Sequence, residues 1–263
     1  MNFILQLYNL SVKYRNKDLP TIENLNLSVR KGSILVIVGE SGSGKSTLIR
    51  SVIGLLPTGG EIISGQLLFQ DKDITKLPYA QARELRGKQI AMIFQDPRAA
   101  LNPRRKIGSQ FVEVLRSHAS ISFKEARNIA LSALADVRMP DPTRVMDSYA
   151  FELSGGMCQR VAFAMAISEY IQPSLLLADE PTSALDVMIR AQVVRQILWY
   201  RENFGVSIIM VTHDFNIAAF LADQIAVMRD GRLIEWGDRD QIINAPNSEY
   251  TKKLLSAAPK MEM

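Results

Sequence analysis

The sequence predicts an α/β fold: a mostly parallel sheet covered by helices, with an antiparallel β side sheet and an inserted α-helical subdomain. Three observations carry this. Short apolar runs of strand length alternate with segments of helical period. The N-terminal segments alternate apolar and polar residues instead. A long middle stretch has helical patterning and no convincing strand.

In chain order, Phe3–Tyr14 and Leu25–Arg30 alternate in period two and read as the antiparallel side sheet. Ser33–Val38, Gln66–Phe69, Gln89–Phe94, Leu175–Ala178 and Ser207–Val211 are dense in Val, Ile and Leu. That composition suits strands buried on both faces, as in a parallel sheet. From Gly108 to Ser168 the pattern is helical, and Ser122-Phe-Lys-Glu125 has the spacing of a capping box. Asp230-Gly231 between two short apolar runs predicts a hairpin turn, followed by short helices at Asp240–Asn244 and Tyr250–Ala257. The expected division is one domain over 1–263. Its core plus side sheet covers 1–96 and 153–235, the helical subdomain 97–152 and a helical tail 236–263.

Composition narrows the function. The 263 residues are 47% hydrophobic and 22% charged, ordinary for a globular chain. No apolar run approaches the ~18 residues of a membrane span, and the N-terminus lacks a signal-peptide layout. A soluble, cytoplasmic chain is therefore expected. Cys158 is the only cysteine, which excludes an intrachain disulfide. The net charge of +4 is compatible with a polyphosphate ligand or an anionic membrane face and does not by itself indicate nucleic acid.

Gly39-Glu40-Ser41-Gly42-Ser43-Gly44-Lys45-Ser46, followed by Thr47, fits the phosphate-loop pattern between a buried strand and a helix start. Glycines let backbone N–H groups turn toward phosphate oxygens, and the helix N-terminus adds partial positive charge. Lys45 is placed to reach the β- and γ-phosphates and Ser46 to offer its hydroxyl to Mg²⁺. Leu175–Ala178 ends in Asp179 and Glu180. The first suits the Mg²⁺ shell, and the second could orient or deprotonate an attacking water. His213, after the strand Ser207–Val211, falls at the same sheet edge, where ligands of open α/β sheets collect. His118, in the helical region, reads as a structural residue. Ser154-Gly155-Gly156 opens a helical pattern and forms a second anion-receptive terminus, which a single nucleotide held at Gly39–Thr47 does not obviously need.

Together these segments resemble the ATP-binding cassette (ABC) family of P-loop NTPases, in motif order and over nearly the whole chain. The matching pieces are Walker A (Gly39–Ser46), Gln95, the signature LSGGMCQR (Leu153–Arg160, with Ser154, Gly155, Gly156 and Met157), Walker B (Leu175–Glu180), the SALD segment ending at Asp186, and His213. The resemblance implies ATP and Mg²⁺ as ligands, with Ser46, Gln95 and Asp179 toward the metal. It implies that Tyr14 stacks on adenine; a core aromatic is the other reading. It also implies that the signature of one chain binds the γ-phosphate held by another.

A narrower resemblance, to the peptide/nickel importer ATPases, rests on Phe94-Gln-Asp-Pro-Arg-Ala-Ala-Leu-Asn-Pro103 and on Pro246–Leu255, where Asn-Ser-Glu departs from the family pattern before Tyr250. The SGGMxQR signature is similar to that of the D-type subunit of such systems. This implies a different, F-type ATPase partner, two permeases, an indirect solute-binding protein and no nucleic acid, with the chain peripheral on the cytoplasmic face of the inner membrane. The family's frequent cysteine-bearing extension is not matched, which inclines the expected cargo toward nickel or another metal complex, with peptides open. The expected permease groove lies near Gln95 and Pro97–Lys106, where Arg98, Arg104, Arg105 and Lys106 form either a docking surface or a solvated loop. A soluble ABC ATPase without a permease is the alternative. A kinase or GTPase is a third class, and it would leave the signature and His213 without a role.

Overall fold

The computed structural model describes residues 2–168, 170–182 and 187–257. The chain begins with β1 (Phe3–Tyr14), β2 (Ile22–Arg30), β3 (Ile34–Val38) and α1 (Lys45–Val52). It continues through β4 (Gly60–Phe69), β5 (Lys72–Asp73), α2 (Tyr79–Leu85) and β6 (Ile90–Ile93). Then come the α-helices α3 (Pro97–Ala100), α4 (Ile107–His118), α5 (Phe123–Asp136), α6 (Pro142–Asp147) and α7 (Gly155–Ala166), with a short 3-10 turn at Ala150–Glu152 before the last. The last part holds β7 (Leu175–Asp179), α8 (Val187–Phe204), β8 (Ser207–Thr212), α9 (Phe215–Leu221), β9 (Gln224–Arg229), β10 (Arg232–Asp238), α10 (Arg239–Asn244) and α11 (Glu249–Ala257).

Two sheets form. One is antiparallel with strand order β2-β1-β4-β5, and the other runs β10-β9-β3-β8-β7-β6. In the second, β9, β3, β8, β7 and β6 pair in parallel and β10 returns antiparallel. Every residue of β3, β7 and β8 is buried. The pleat sends alternate side chains to opposite faces. Leu35 and Ile37 therefore join a core with the side sheet and α1, while Ile34, Val36 and Val38 join a second core with α8, α9 and α10. A third core, around Phe111, Leu115, Ala130 and Leu134, holds the helical layer together. Helix α7 is shared: Cys158, Val161 and Ala164 face the helical core, and Phe163 faces the sheet.

Local chemistry explains the boundaries. Ser122 caps α5 by accepting from the Glu125 amide at 3.2 Å, as its spacing predicts. Asp96 caps α3 and Pro97 fills its first turn. The β9–β10 hairpin turns at Asp230 (φ 47°) and Gly231 (φ 77°), the left-handed pair of a tight two-residue turn.

Two expectations need correction. Gln66–Phe69 is not a parallel core strand but the end of ten-residue β4 in the antiparallel sheet. Its apolar density reflects packing of Leu67 and Phe69 under that sheet. Gln224–Arg229, anticipated only as one arm of a hairpin, is β9, a parallel neighbour of central β3.

Candidate nucleotide site

Strand β3 delivers the chain into Gly39–Gly44, and α1 starts at Lys45. Two glycines are required sterically. A Cβ on Gly39 (φ 154°) would sit 2.1 Å from the Met228 carbonyl oxygen, and one on Gly44 (φ 99°) would sit 3.0 Å from the Thr21 carbonyl oxygen. Lys45 is 5% exposed and donates to the carbonyls of Gly39 (2.8 Å) and Glu40 (2.7 Å). Burial lowers its pKa, and the nearby Glu180, Asp179 and Glu40 carboxylates oppose that shift. The ammonium is thus held at the mouth of the loop by acceptors that a phosphate can replace.

Ser46 donates its hydroxyl to Asp179 at 2.7 Å. Asp179 is fully buried at the tip of β7, and its second oxygen lies 3.4 Å from the Arg50 guanidinium. Arg50 was missed in the sequence. Its signal is helical spacing: Ser46 and Arg50 are four apart on α1 and share a face. Among the described residues no cluster of three or more His, Cys, Asp or Glu is set to hold a metal. The donors are instead the hard oxygens of Ser46 and Asp179. That set fits a Mg²⁺ taking its remaining ligands from water and phosphate.

Glu180 adopts a left-handed backbone (φ 44°), uncommon for a residue with a side chain. Its amide is fixed to the Val211 carbonyl of β8 at 3.0 Å. This turns its carboxylate toward two partners. Gln95 Nε2 donates to it at 3.3 Å, and His213 Nδ1 lies 3.5 Å away. Gln95, Glu180 and His213 come from three different loops at the C-terminal edge of the sheet. They meet beside a cleft of about 420 Å³ lined by Tyr14, Ser41, Gly42, Lys45, Thr47, Gln95 and Glu180 among others. Tyr14 reaches this cleft from the end of β1, and its ring also abuts Gly60.

The signature segment lies elsewhere. Ser154 caps α7 by accepting from Met157 N–H at 3.3 Å, and Ser154 and Gly155 are exposed. None of Ser154, Gly155, Gly156 and Met157 lines the Gly39–Thr47 cleft. Two links, one buried and one partly buried, tie the regions together, and neither pairing is legible in the sequence. Gln159 Nε2 donates to the Pro181 carbonyl, just after Glu180, and Arg98 donates to the Leu153 carbonyl at 2.9 Å. Within the basic run, Arg105 pairs with Glu113 of α4 at the surface of the helical layer. Asp186 and the rest of SALD lie outside the described residues. His118 packs over Gly87, and burial lowers its pKa, in keeping with a structural role.

Comparison with known proteins agrees with this geometry. Residues 22–183 match the ABC transporter family. The oligopeptide transport ATP-binding protein OppD of Haemophilus influenzae is 41% identical over 264 residues, covering all of this chain and 81% of that protein. The dipeptide transport ATP-binding protein DppD of Bacillus subtilis is 40% identical, covering all of this chain and 79% of that protein. The ATP-binding cassette MJ0796, solved as a dimer bound to ADP and Pi, superposes with a TM-score of 0.80 at 26% identity, over 89% of this chain and 98% of that one. CbiO1 from Clostridium perfringens, part of an ABC transporter complex, gives 0.77 at 27%, over 93% and 92%. A buried phosphate loop, a carboxylate-tipped strand beside it and a full-length match to such subunits lead to one conclusion: this chain belongs to the ABC transporter family, as one of its ATP-hydrolysing subunits.

Proposed function

We propose that this chain drives a peptide importer by closing on a second ATPase subunit around shared ATP. The observation that carries the shared site is the separation of its two anion-binding corners. Gly39–Thr47 lines a cleft, while Ser154-Gly155-Gly156 stands at the head of α7 and outside it, with Ser154 and Gly155 exposed. The second corner therefore has a task only toward another chain's nucleotide.

Within one site, Lys45 holds the β- and γ-phosphates and Tyr14 flanks the base. Glu180 is the base that orients the attacking water, with Gln95 and His213 fixing its carboxylate. Mg²⁺ bound at Ser46 and Asp179, with Gln95 in reach, would neutralise phosphate charge. Buried Asp179, braced by Arg50, keeps Ser46 oriented for that duty. Asp186 and Met157 complete the boundary between subunits in this reading.

The relatives described above are named for peptide transport, which favours a peptide cargo over the nickel complex suggested by the unmatched cysteines. No described helix is long and apolar enough to cross a membrane, so the transport path is assigned to two permease subunits, with the chain docked at their cytoplasmic face. A solute-binding protein would act beyond them. The ATPase partner is an F-type subunit, and no nucleic acid is involved. The test is Ser154→Arg in the assembled complex. ATP binding by this chain should persist while turnover falls by at least about tenfold, the effect of losing roughly one charge-assisted hydrogen bond to phosphate. Undiminished turnover would remove the shared-site reading.

A further inference from the structure

The tail segment Pro246–Leu255 has no part in the phosphate chemistry, yet it packs beneath the phosphate loop through the β9–β10 turn. In that turn the Gly231 N–H donates to the Ser43 carbonyl inside the loop, at 3.1 Å. The Met228 carbonyl presses against Gly39 so closely that no Cβ would fit between them. Arg229, between these two residues, lies over the ring of Tyr250 in the first turn of α11, 4.8 Å from its centroid. The start of α11 is itself fastened to β10. Glu235 accepts from the Asn247 amide (2.7 Å) and the Ser248 amide (3.1 Å), and Ser248 Oγ accepts from the Tyr250 amide (3.2 Å). Loop, turn and tail therefore form one continuous stack.

The Tyr250 hydroxyl oxygen is buried and faces the backbone amide of Glu40, the second residue of the loop, but falls short of normal hydrogen-bond geometry. Buried hydroxyls are ordinarily satisfied, and the Glu40 amide is the loop donor that this one faces, so a small shift of the loop completes the bond. We propose that Tyr250 is a positioning residue for the phosphate loop: its ring clamps the Arg229–Gly231 turn and its hydroxyl oxygen receives the Glu40 amide as the loop settles around phosphate. The tail thus tunes nucleotide affinity without touching the nucleotide. This rests on the reading of Gly39–Thr47 as the nucleotide loop.

The experiment is equilibrium ATP binding to the full chain, well below its melting temperature, for wild type, Tyr250→Phe, Tyr250→Ala and Arg229→Ala, with melting temperature recorded beside it. Tyr250→Ala and Arg229→Ala, which abolish the ring contact, should weaken ATP binding about fivefold, and Tyr250→Phe, which keeps the ring, about twofold. A fall in melting temperature with unchanged ATP affinity in Tyr250→Ala would overturn the proposal and leave the tail a merely structural element. If that variant does not fold, Arg229→Ala, altered at a half-exposed side chain, decides alone, and unchanged affinity there overturns it. Failure of the wild type to bind ATP would instead remove the nucleotide-loop reading, and this inference with it.

Discussion

Glu180 shows how a single residue is aimed by its backbone. Its left-handed φ of 44° and its amide bond to Val211 leave the carboxylate facing Gln95 and His213 at the cleft wall. Sites that hold such strain commonly gain pre-organisation from it. Glu180→Gln keeps the shape and the Gln95 contact and removes the proton acceptor proposed above. Turnover should fall by about 10²–10⁴-fold with ATP binding retained, measured by phosphate release beside nucleotide binding. Cys158 makes the opposite case. It is fully buried, its Sγ donates to the Ala150 carbonyl at 3.4 Å, and burial pushes its pKa up. The sign is simple: a raised pKa lowers the thiolate fraction at neutral pH, and the thiolate is the reactive form. A thiol reagent at pH 7 should therefore label the native chain far more slowly than the unfolded one.

Elements formed where local signals agreed and were misjudged where they did not. Ser122, the Asp230-Gly231 turn and the tail helices stood out because each rests on short-range chemistry. Strand β4 was misassigned because an apolar run of four residues does not distinguish a central strand from the inner face of a side sheet. Strand β9 was hidden for a related reason. Its hairpin to β10 is local, whereas its parallel pairing to β3 spans almost two hundred residues. At the site, motif and strand context singled out Gly39–Ser46, Asp179, Glu180 and His213, and the fold brings Lys45, Ser46, Asp179, Glu180 and His213 to one sheet edge. The partners of Arg50, Arg98 and Gln159 were not legible, because tertiary packing alone sets them; Arg98 was read only as part of a basic run. The exposed Ser122 cap gives a clean test at this scale. Ser122→Ala should cost about 1 kcal/mol in denaturant unfolding, with ATP binding unchanged.

For the whole molecule, the exposed head of α7 and the Gly39–Thr47 cleft are linked inside one chain yet face separate tasks. Gln159 joins the signature helix to the loop after Glu180, and Arg98 joins it to the segment following Gln95. Under the proposed shared site, these two contacts are the route by which occupancy of one corner reaches the other. Moving a dimer from 1:99 to 99:1 closed requires ATP to favour closure by about 5.5 kcal/mol. Several charge-assisted hydrogen bonds to a γ-phosphate, at about 1.5–3 kcal/mol each, reach that figure. The most direct measurement is the structure of the Glu180→Gln chain trapped with ATP and its ATPase partner. The account expects Ser154 Oγ within hydrogen-bond distance, about 3 Å, of the γ-phosphate held by the partner's phosphate loop. Ser154 remote from every triphosphate, or bound to the nucleotide of its own chain, would contradict it.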